Sequence, residues 1–235
     1  MCCLAWPTLA LTWCCSATKL QKLAMASPDF SPSAERNKQP ILEILQTLLP
    51  VSGHALEIAS GTGQHVVWFA RYLPQWTWQP TDLHRGALYN VEANIEAGVD
   101  DESLDNVYAP LQLNVLDSPW PLDDQKFDLV FCINMLHIAP WASCAALMQG
   151  CARHLATDGV LVTYGPYIED GVPTVASNLA FDESLRAHDP SWGLRRREDV
   201  EAQAALAGLC LRSRHAMAAN NLVLVFAKVA DNQTS

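Results

Sequence analysis

Basic residues are scarce in this chain. Fifteen Lys and Arg stand against twenty-five Asp and Glu over 235 residues, a net charge of −10 with histidine neutral. A protein that grips nucleic acid through its phosphates presents a cationic surface, so this balance argues against a nucleic-acid partner. The run Arg195-Arg196-Arg197 is a local exception and reads as a solvated helix start. Metal-binding patterns are missing as well. Cys132, Cys144, Cys151 and Cys210 form no C-x-x-C pair, no histidine group has zinc spacing, and no metal is expected. These cysteines read as reduced, buried thiols of an intracellular protein, cytoplasmic in the simplest case. No apolar run is long enough to span a bilayer.

Residues 1–26 lack any acid, and they lack arginine too. Their apolar stretch is broken by Pro7, Thr8 and Thr12, and Lys19 and Lys22 follow it, whereas a secretory signal carries its charge in front. Three readings stay open: a disordered leader, an import sequence for an organelle, or an extension upstream of a start at Met25. The expected organisation is a leader over 1–30, one domain over 31–229 and a short tail over 230–235.

Most of what remains is apolar, with half of all residues hydrophobic. Pro40 suits the first turn of a helix whose stripe is Ile41, Leu42, Leu45, Leu48 and Leu49. Strands are expected at 54–59, 76–79, 107–115, 127–134 and 159–165, with helices after Gly63, over 83–97 and over 141–155. Phe127–Asn134 is apolar on consecutive positions, as strands covered on both faces are. Strands alternating with helices imply a doubly wound α/β fold with a mostly parallel sheet. A loop-rich stretch over 166–196 and a helix near 197–207 follow. Strands near 209–213 and 222–228 have no helix between them and should pair antiparallel, which makes seven strands.

The stretch Leu56–Ala70, "LEIASGTGQHVVWFA", passes from strand through a glycine turn into helix. Ligands of open parallel sheets sit at that turn. Dinucleotide enzymes need a third glycine there for the pyrophosphate, and this chain has Val66. A nicotinamide oxidoreductase is therefore disfavoured, and a cofactor without phosphate fits. S-adenosylmethionine is one. Glu57 can face its ammonium, and Asp82, 21 positions after Gly61, can accept both ribose hydroxyls. Alternatives remain at each: a strand acid paired within the protein for Glu57, a helix cap for Asp82. Ala59, Ser60, Gly61 and Gly63 shape the loop, and Leu83 follows the second acid.

The constellation resembles a class I methyltransferase. Through "SPSAERNKQPIL" (31–42), "LEIASGTGQHVVWFA" (56–70), "WQPTDL" (78–83), "INMLHIAPW" (133–141), "YGPY" (164–167), "SNLAFDESLRAHDPSWG" (177–193) and "ANNLVLVFAK" (219–228), the chain resembles the methyltransferase-like protein twenty-six family, whose bacterial relatives are catalogued as a domain of unknown function. The resemblance implies a seven-stranded sheet with the last strand antiparallel, and S-adenosylmethionine as cofactor. It implies that Asn114 stands where such enzymes often place an Asp against the adenine, with Val115 packing on the ring, and that Arg36, Asn37 and Asn134 border the cofactor. It names no acceptor. Ala59 replaces the usual first glycine, a small departure.

Strand four ends in "NMLH", without the prolines of enzymes that methylate base amines. His137 is then a candidate base, suited by a near-neutral pKa, or else a residue that only shapes the pocket. Tyr164, Tyr167, Asn178, Phe181, Asp182, Asp189 and Trp192 are expected to contribute to a substrate lid or to a structural flap. Asn220 and Asn221 either reach the pocket or make the turn between the last strands. The leading expectation is methyl transfer to a small molecule, with a protein acceptor as a further possibility. The alternative is a non-catalytic cofactor-binding or scaffold protein with the same fold.

Overall fold

A computed structural model describes residues 29–98 and 104–230. The leader expected over 1–30 and the tail expected over 230–235 fall, but for residues 29, 30 and 230, outside the described residues. In chain order the elements are α1 (Pro32–Leu48), β1 (Gly53–Ile58), α2 (Gln64–Tyr72), β2 (Trp76–Asp82), α3 (Arg85–Ala97), β3 (Leu111–Gln112), β4 (Phe127–Ile133), a 3-10 turn (Leu136–Ile138), α4 (Ala142–His154), β5 (Leu155–Ile168), α5 (Ala176–His188), β6 (Arg195–Arg196), α6 (Arg197–Leu206), β7 (Leu209–Ala216), a second 3-10 turn (Ala218–Asn220) and β8 (Asn221–Lys228).

The main sheet runs β3-β2-β1-β4-β5-β8-β7, and the two-residue β6 pairs beside the end of β5. β1 is parallel to β2 and β4, and β4 is parallel to β5. β8 is antiparallel to both β5 and β7, as the missing crossover helix demands. The fold is therefore α/β with a doubly wound, mostly parallel sheet whose last strand runs backwards. Apolar clusters cover both faces: Leu56, Val130, Leu161 and Phe226 lie in one, and Phe69, Trp78, Phe131 and Val225 in the other. The strand order reverses between β1 and β4, and that reversal opens a crevice at their carboxyl ends.

Three expectations are corrected. The first helix starts at Pro32, not Pro40. Ser31 caps it by accepting from the Ala34 amide at 3.3 Å, Pro32 takes the first turn, and Pro40 lies inside. The third strand shrinks to Leu111–Gln112 plus a bridge from Val107 to Trp78. Pro110, between the two, has no amide hydrogen for a ladder. The stretch over 166–196 is not loop-rich. β5 extends to Ile168, and α5 occupies 13 residues of the supposed loop. No helix among the described residues is long and apolar enough to cross a membrane.

Candidate functional site

β1 delivers the chain into a loop with three left-handed residues, Ala59 (φ 60°), Gly61 (φ 57°) and Gly63 (φ 77°). Ser60 stitches the loop to β2. Its amide donates to the Thr81 carbonyl at 2.9 Å, and its hydroxyl accepts from the Thr81 amide at 3.1 Å. Asp82 completes the frame. Its carboxylate accepts from the Gly61 amide and from the His84 amide, each at 2.9 Å. Asp82 is not the helix cap expected as its alternative role, since His84 takes that position; its side chain instead orders the loop and the residues that lead into α3.

The glycines do different things. A Cβ on Gly63 would lie 2.9 Å from the Val91 backbone, so Gly63 lets α2 and α3 approach and is structural. A Cβ on Gly61 would meet nothing within 4 Å. The space over Gly61 belongs to a cavity of about 730 Å³ at the crevice.

Glu57 lies buried on β1 behind this loop, and its Oε2 has no hydrogen-bond partner. Burial pushes its carboxyl up to about 8; the Ser60 hydrogen bond pulls it down slightly, and Asp82 adds to the rise. A carboxyl protonated in the folded state and ionised when unfolded favours the fold most below pH about 4.5. That contribution fades as the pH climbs towards 8. Glu57→Gln should remove this slope: melting followed from pH 5 to 8 should decline less in the variant than in the wild type. Parallel curves would place Glu57 in a wetter setting than this one.

α1 closes the cavity from the amino side. The Ser31 amide donates to Gln64 Oε1 at 2.6 Å, and Asn90 donates to Asp29 at 3.0 Å, tying the residues just before α1 to α2 and α3. Arg36 and Asn37 line the cavity from α1. Asn37 accepts from the His65 ring at 2.7 Å. Burial, and then the Lys38 charge, hold His65 down to about 4, so it is neutral. Tyr164 stands opposite, its phenol raised by burial and eased by the Asn37 amide and the Arg36 charge.

On the far side of the crevice, Asn134 (φ 62°) turns the chain out of β4, and its amide donates to the Tyr164 carbonyl at 2.8 Å. The following 3-10 turn presents His137 to the cavity, with the Phe181 ring edge-on at 5.7 Å. Arg195 fixes this turn by donating to the Leu136 carbonyl at 2.9 Å and to the Ala139 carbonyl at 2.7 Å. The Gly193 amide donates to the His137 carbonyl at 3.0 Å. The expectation of a near-neutral histidine is corrected. Burial, with the Arg195 charge behind it, holds His137 down to about 4.

Of the residues expected from sequence, Arg36, Asn37, Ala59, Ser60, Gly61, Asn134, His137, Tyr164 and Asn178 line the one cavity, as do Phe181 and Asn221. Leu83, 46% exposed, sits beside Asp82 outside it. Asn114 and Val115 also lie outside. Asn114 closes a turn with the Leu116 amide and Asp117, and Val115 packs in the core beside Trp120.

Tyr167, expected to touch substrate, is buried in the core, and its hydroxyl donates to Thr163 at 2.8 Å. Trp192 packs on His188 at 5.0 Å, away from the cavity, because Asp189 accepts from Ser191 and curls the chain. Asp182 holds Arg186 and the Leu194 amide. Asn220 (φ 53°) makes the turn before β8 and borders only a small neighbouring cleft.

Sequence reasoning missed His65 and Arg195. A polar residue two places past the glycine turn, inside the apolar run Val66–Ala70, was the available signal for His65. Arg195 gave none, since it was grouped with a solvated run. In the structure that run is used up: Arg196 pairs with Asp170, and Arg197 with Glu169, Glu198 and Glu201.

The profile of a family described as a protein of unknown function (DUF938) matches residues 28–228. Among solved structures, the chain resembles an O-methyltransferase family protein from Burkholderia thailandensis at 18% identity and a TM-score of 0.70, covering 85% of this chain and 58% of that one. It resembles a methyltransferase of calicheamicin biosynthesis in an SAH-bound form at 14% identity and a TM-score of 0.65, covering 84% and 55%. It also resembles an O-methyltransferase family 2 protein from Planctomyces limnophilus, in complex with apigenin, at 16% identity and a TM-score of 0.67, covering 91% and 62%. The chain therefore spans less than two thirds of each of these, and at such identities the likeness shows the fold.

Proposed function

The chain belongs to the family described as a protein of unknown function (DUF938), and from that premise and the cavity we propose that it transfers a methyl group from S-adenosylmethionine to a small-molecule acceptor. Within the family we place it in the methyltransferase-like protein twenty-six branch. The observation that carries the reading is the cradle at the switch point. An open space lies over Gly61, and an unpaired, buried Glu57 oxygen lies behind the same loop.

These residues fit the cofactor. Glu57 suits its ammonium, which would draw the carboxyl into its ionised form. Arg36, a cation with no hydrogen bond or ion pair among the described residues, suits its carboxylate. Asp82 keeps acceptor capacity beyond its two backbone bonds and suits the ribose hydroxyls. Leu83 offers an exposed apolar side chain next to Asp82 for the adenine. Bound there, the cofactor would supply an electrophilic methyl group carried on a positively charged sulfur.

The protein's own work is then positioning and proton removal. α1 shields the loop from water, and the 3-10 turn holds His137 at the cavity wall. A neutral His137 accepts the hydrogen of a hydroxyl acceptor. Held near 4 in the free protein, it is a weaker base than an exposed histidine, so its service is to accept the hydrogen bond of the hydroxyl and to take the proton as that oxygen reacts. The buried, unpaired thiols Cys132, Cys144 and Cys151 fit a reducing compartment such as the cytoplasm.

Calorimetric titration with S-adenosylmethionine and with its demethylated product tests the reading. Both should bind and NADH should not. Asp82→Ala should weaken both by about 1.5–3 kcal/mol, the scale of a hydrogen bond to a charged group. Unchanged affinity in a folded variant would remove Asp82 from the site, and no binding by the wild type would end the proposal.

A further inference from the structure

With the glycine loop, Asp82 and Arg36 given to the cofactor, as proposed above, part of the cavity is left over. Its walls come from the His137 turn, from the first turns of α5 and from the connection between β7 and β8. Ile138, Pro166, Phe181 and Met217 make these walls apolar. Phe181 and Ile138 leave 40% and 43% of their surface uncovered there.

Several polar side chains interrupt the apolar lining; Asn221 is engaged with the Ala218 carbonyl at 3.0 Å, and two others, His137 and Asn178, stand out. His137 is 6% exposed and Asn178 is 8% exposed. Neither has a side-chain hydrogen-bond partner among the described residues. Both line the cavity, where solvent reaches their polar atoms, so a ligand entering there must replace the hydrogen bonds of that water. They are also neighbours through one ring. Asn178 lies one turn before Phe181 on α5, and Phe181 touches His137.

Charge narrows the ligand's class. Of the side chains lining the cavity, Arg36 alone carries a formal charge at neutral pH, and it sits on α1 rather than on this side. A carboxylate or phosphate buried against Ile138, Met217 and Phe181 would have no counter-ion and would be expelled to water. A protonated amine would fare no better, with no acid on the wall. A neutral hydroxyl answers both groups, because its hydrogen can go to the imidazole and its oxygen can accept from the Asn178 amide.

We propose that this part of the cavity is an acceptor site for an uncharged aromatic compound bearing a hydroxyl, seated with its hydroxyl between His137 and Asn178 and its ring against Phe181. The site rests on the methyltransferase reading for its use, but the binding itself needs no cofactor.

The test is a fluorescence titration of the full chain at pH 7 with 2-naphthol, 2-naphthoate and 2-naphthyl phosphate, with and without the demethylated cofactor. The wild type should bind 2-naphthol at least about tenfold more tightly than either anion. Asn178→Ala, Phe181→Ala and His137→Ala should each weaken 2-naphthol by about fivefold or more, the ratio of one hydrogen bond or one ring contact. Asn178 and Phe181 sit on the outer helix α5, so their variants should fold, and melting curves check this.

Equal or tighter binding of an anion overturns the proposal. So does 2-naphthol binding that all three folded variants retain, which marks unspecific adsorption. Demethylated cofactor that binds while 2-naphthol does not sinks this inference and leaves the methyltransferase reading standing. The reverse pattern sinks that reading and leaves the acceptor site.

Discussion

Gly61→Val should yield a folded protein with no measurable affinity for S-adenosylmethionine. Two effects combine. Gly61 holds φ at 57°, where an L-residue costs roughly 1–2 kcal/mol. That strain should lower the melting point by a few degrees, at about 2–4 °C per kcal/mol for a domain of this size. The second effect is the larger one. A Cβ at this position meets no protein atom within 4 Å, so the valine side chain stands in the cavity, where the ligand must pass. The amide that donates to Asp82 is displaced only if the loop itself moves, and circular dichroism together with melting will register such a movement.

Affinity should fall by at least about 100-fold, more than any single hydrogen bond at the loop is worth. Gly61→Ala is the control that separates the terms, since it keeps the backbone cost and shortens the obstruction. A folded Gly61→Val that still bound the cofactor would put the cofactor somewhere else.

His137→Ala should lower turnover by about 10²–10⁴-fold while leaving cofactor affinity near the wild-type value. The histidine's place is fixed from all sides. Arg195 holds the carbonyls before and after it, the Gly193 amide holds its own, and a Cβ on Gly165 would come within 3.3 Å of its Nδ1. A ring so confined meets one region of the cavity and not the glycine loop, which is why binding and turnover should separate. With the free imidazole held near 4, kcat/KM should be flat through pH 6.5, where an exposed histidine would show a limb. The neutral form, which accepts the proton, is lost only as the pH drops through the low value. A limb near 6.5 in the wild type, or a large loss of cofactor affinity in the variant, would show that His137 works differently.

The sheet was legible because consecutive apolar residues such as Phe127–Ile133 leave few alternatives to a covered strand, and the missing helix between the last two strands fixed their antiparallel pairing. The glycine loop was legible too, since Gly61 and Asp82, which the structure joins by a hydrogen bond, lie at strand ends whose spacing the fold dictates. The acceptor side was not. Tyr167 and Trp192 share the composition of pocket residues, but period-two alternation along β5 sends Tyr164 and Tyr167 to opposite faces. The long extension of β5 and the helix α5 arose from contacts made at a distance, such as Asp182 with the Leu194 amide, that no local pattern announces. Arg195 failed for a related reason: a charged residue beside two ion-paired neighbours looks solvated until the carbonyls it serves, more than fifty positions earlier in the chain, are brought beside it.

Arg195 also makes α5 and the His137 turn one mechanical unit. On the proposed acceptor site, the segment from α5 to β6 would meet the acceptor at one end through Asn178 and Phe181, and it grips the His137 turn at the other. An exchange of this segment for that of a relative would change acceptor choice and histidine placement together. Acceptor range in this family should therefore diversify by replacement of the whole segment with its arginine, and transplants that stop short of position 195 should inherit a new specificity with a loosened histidine.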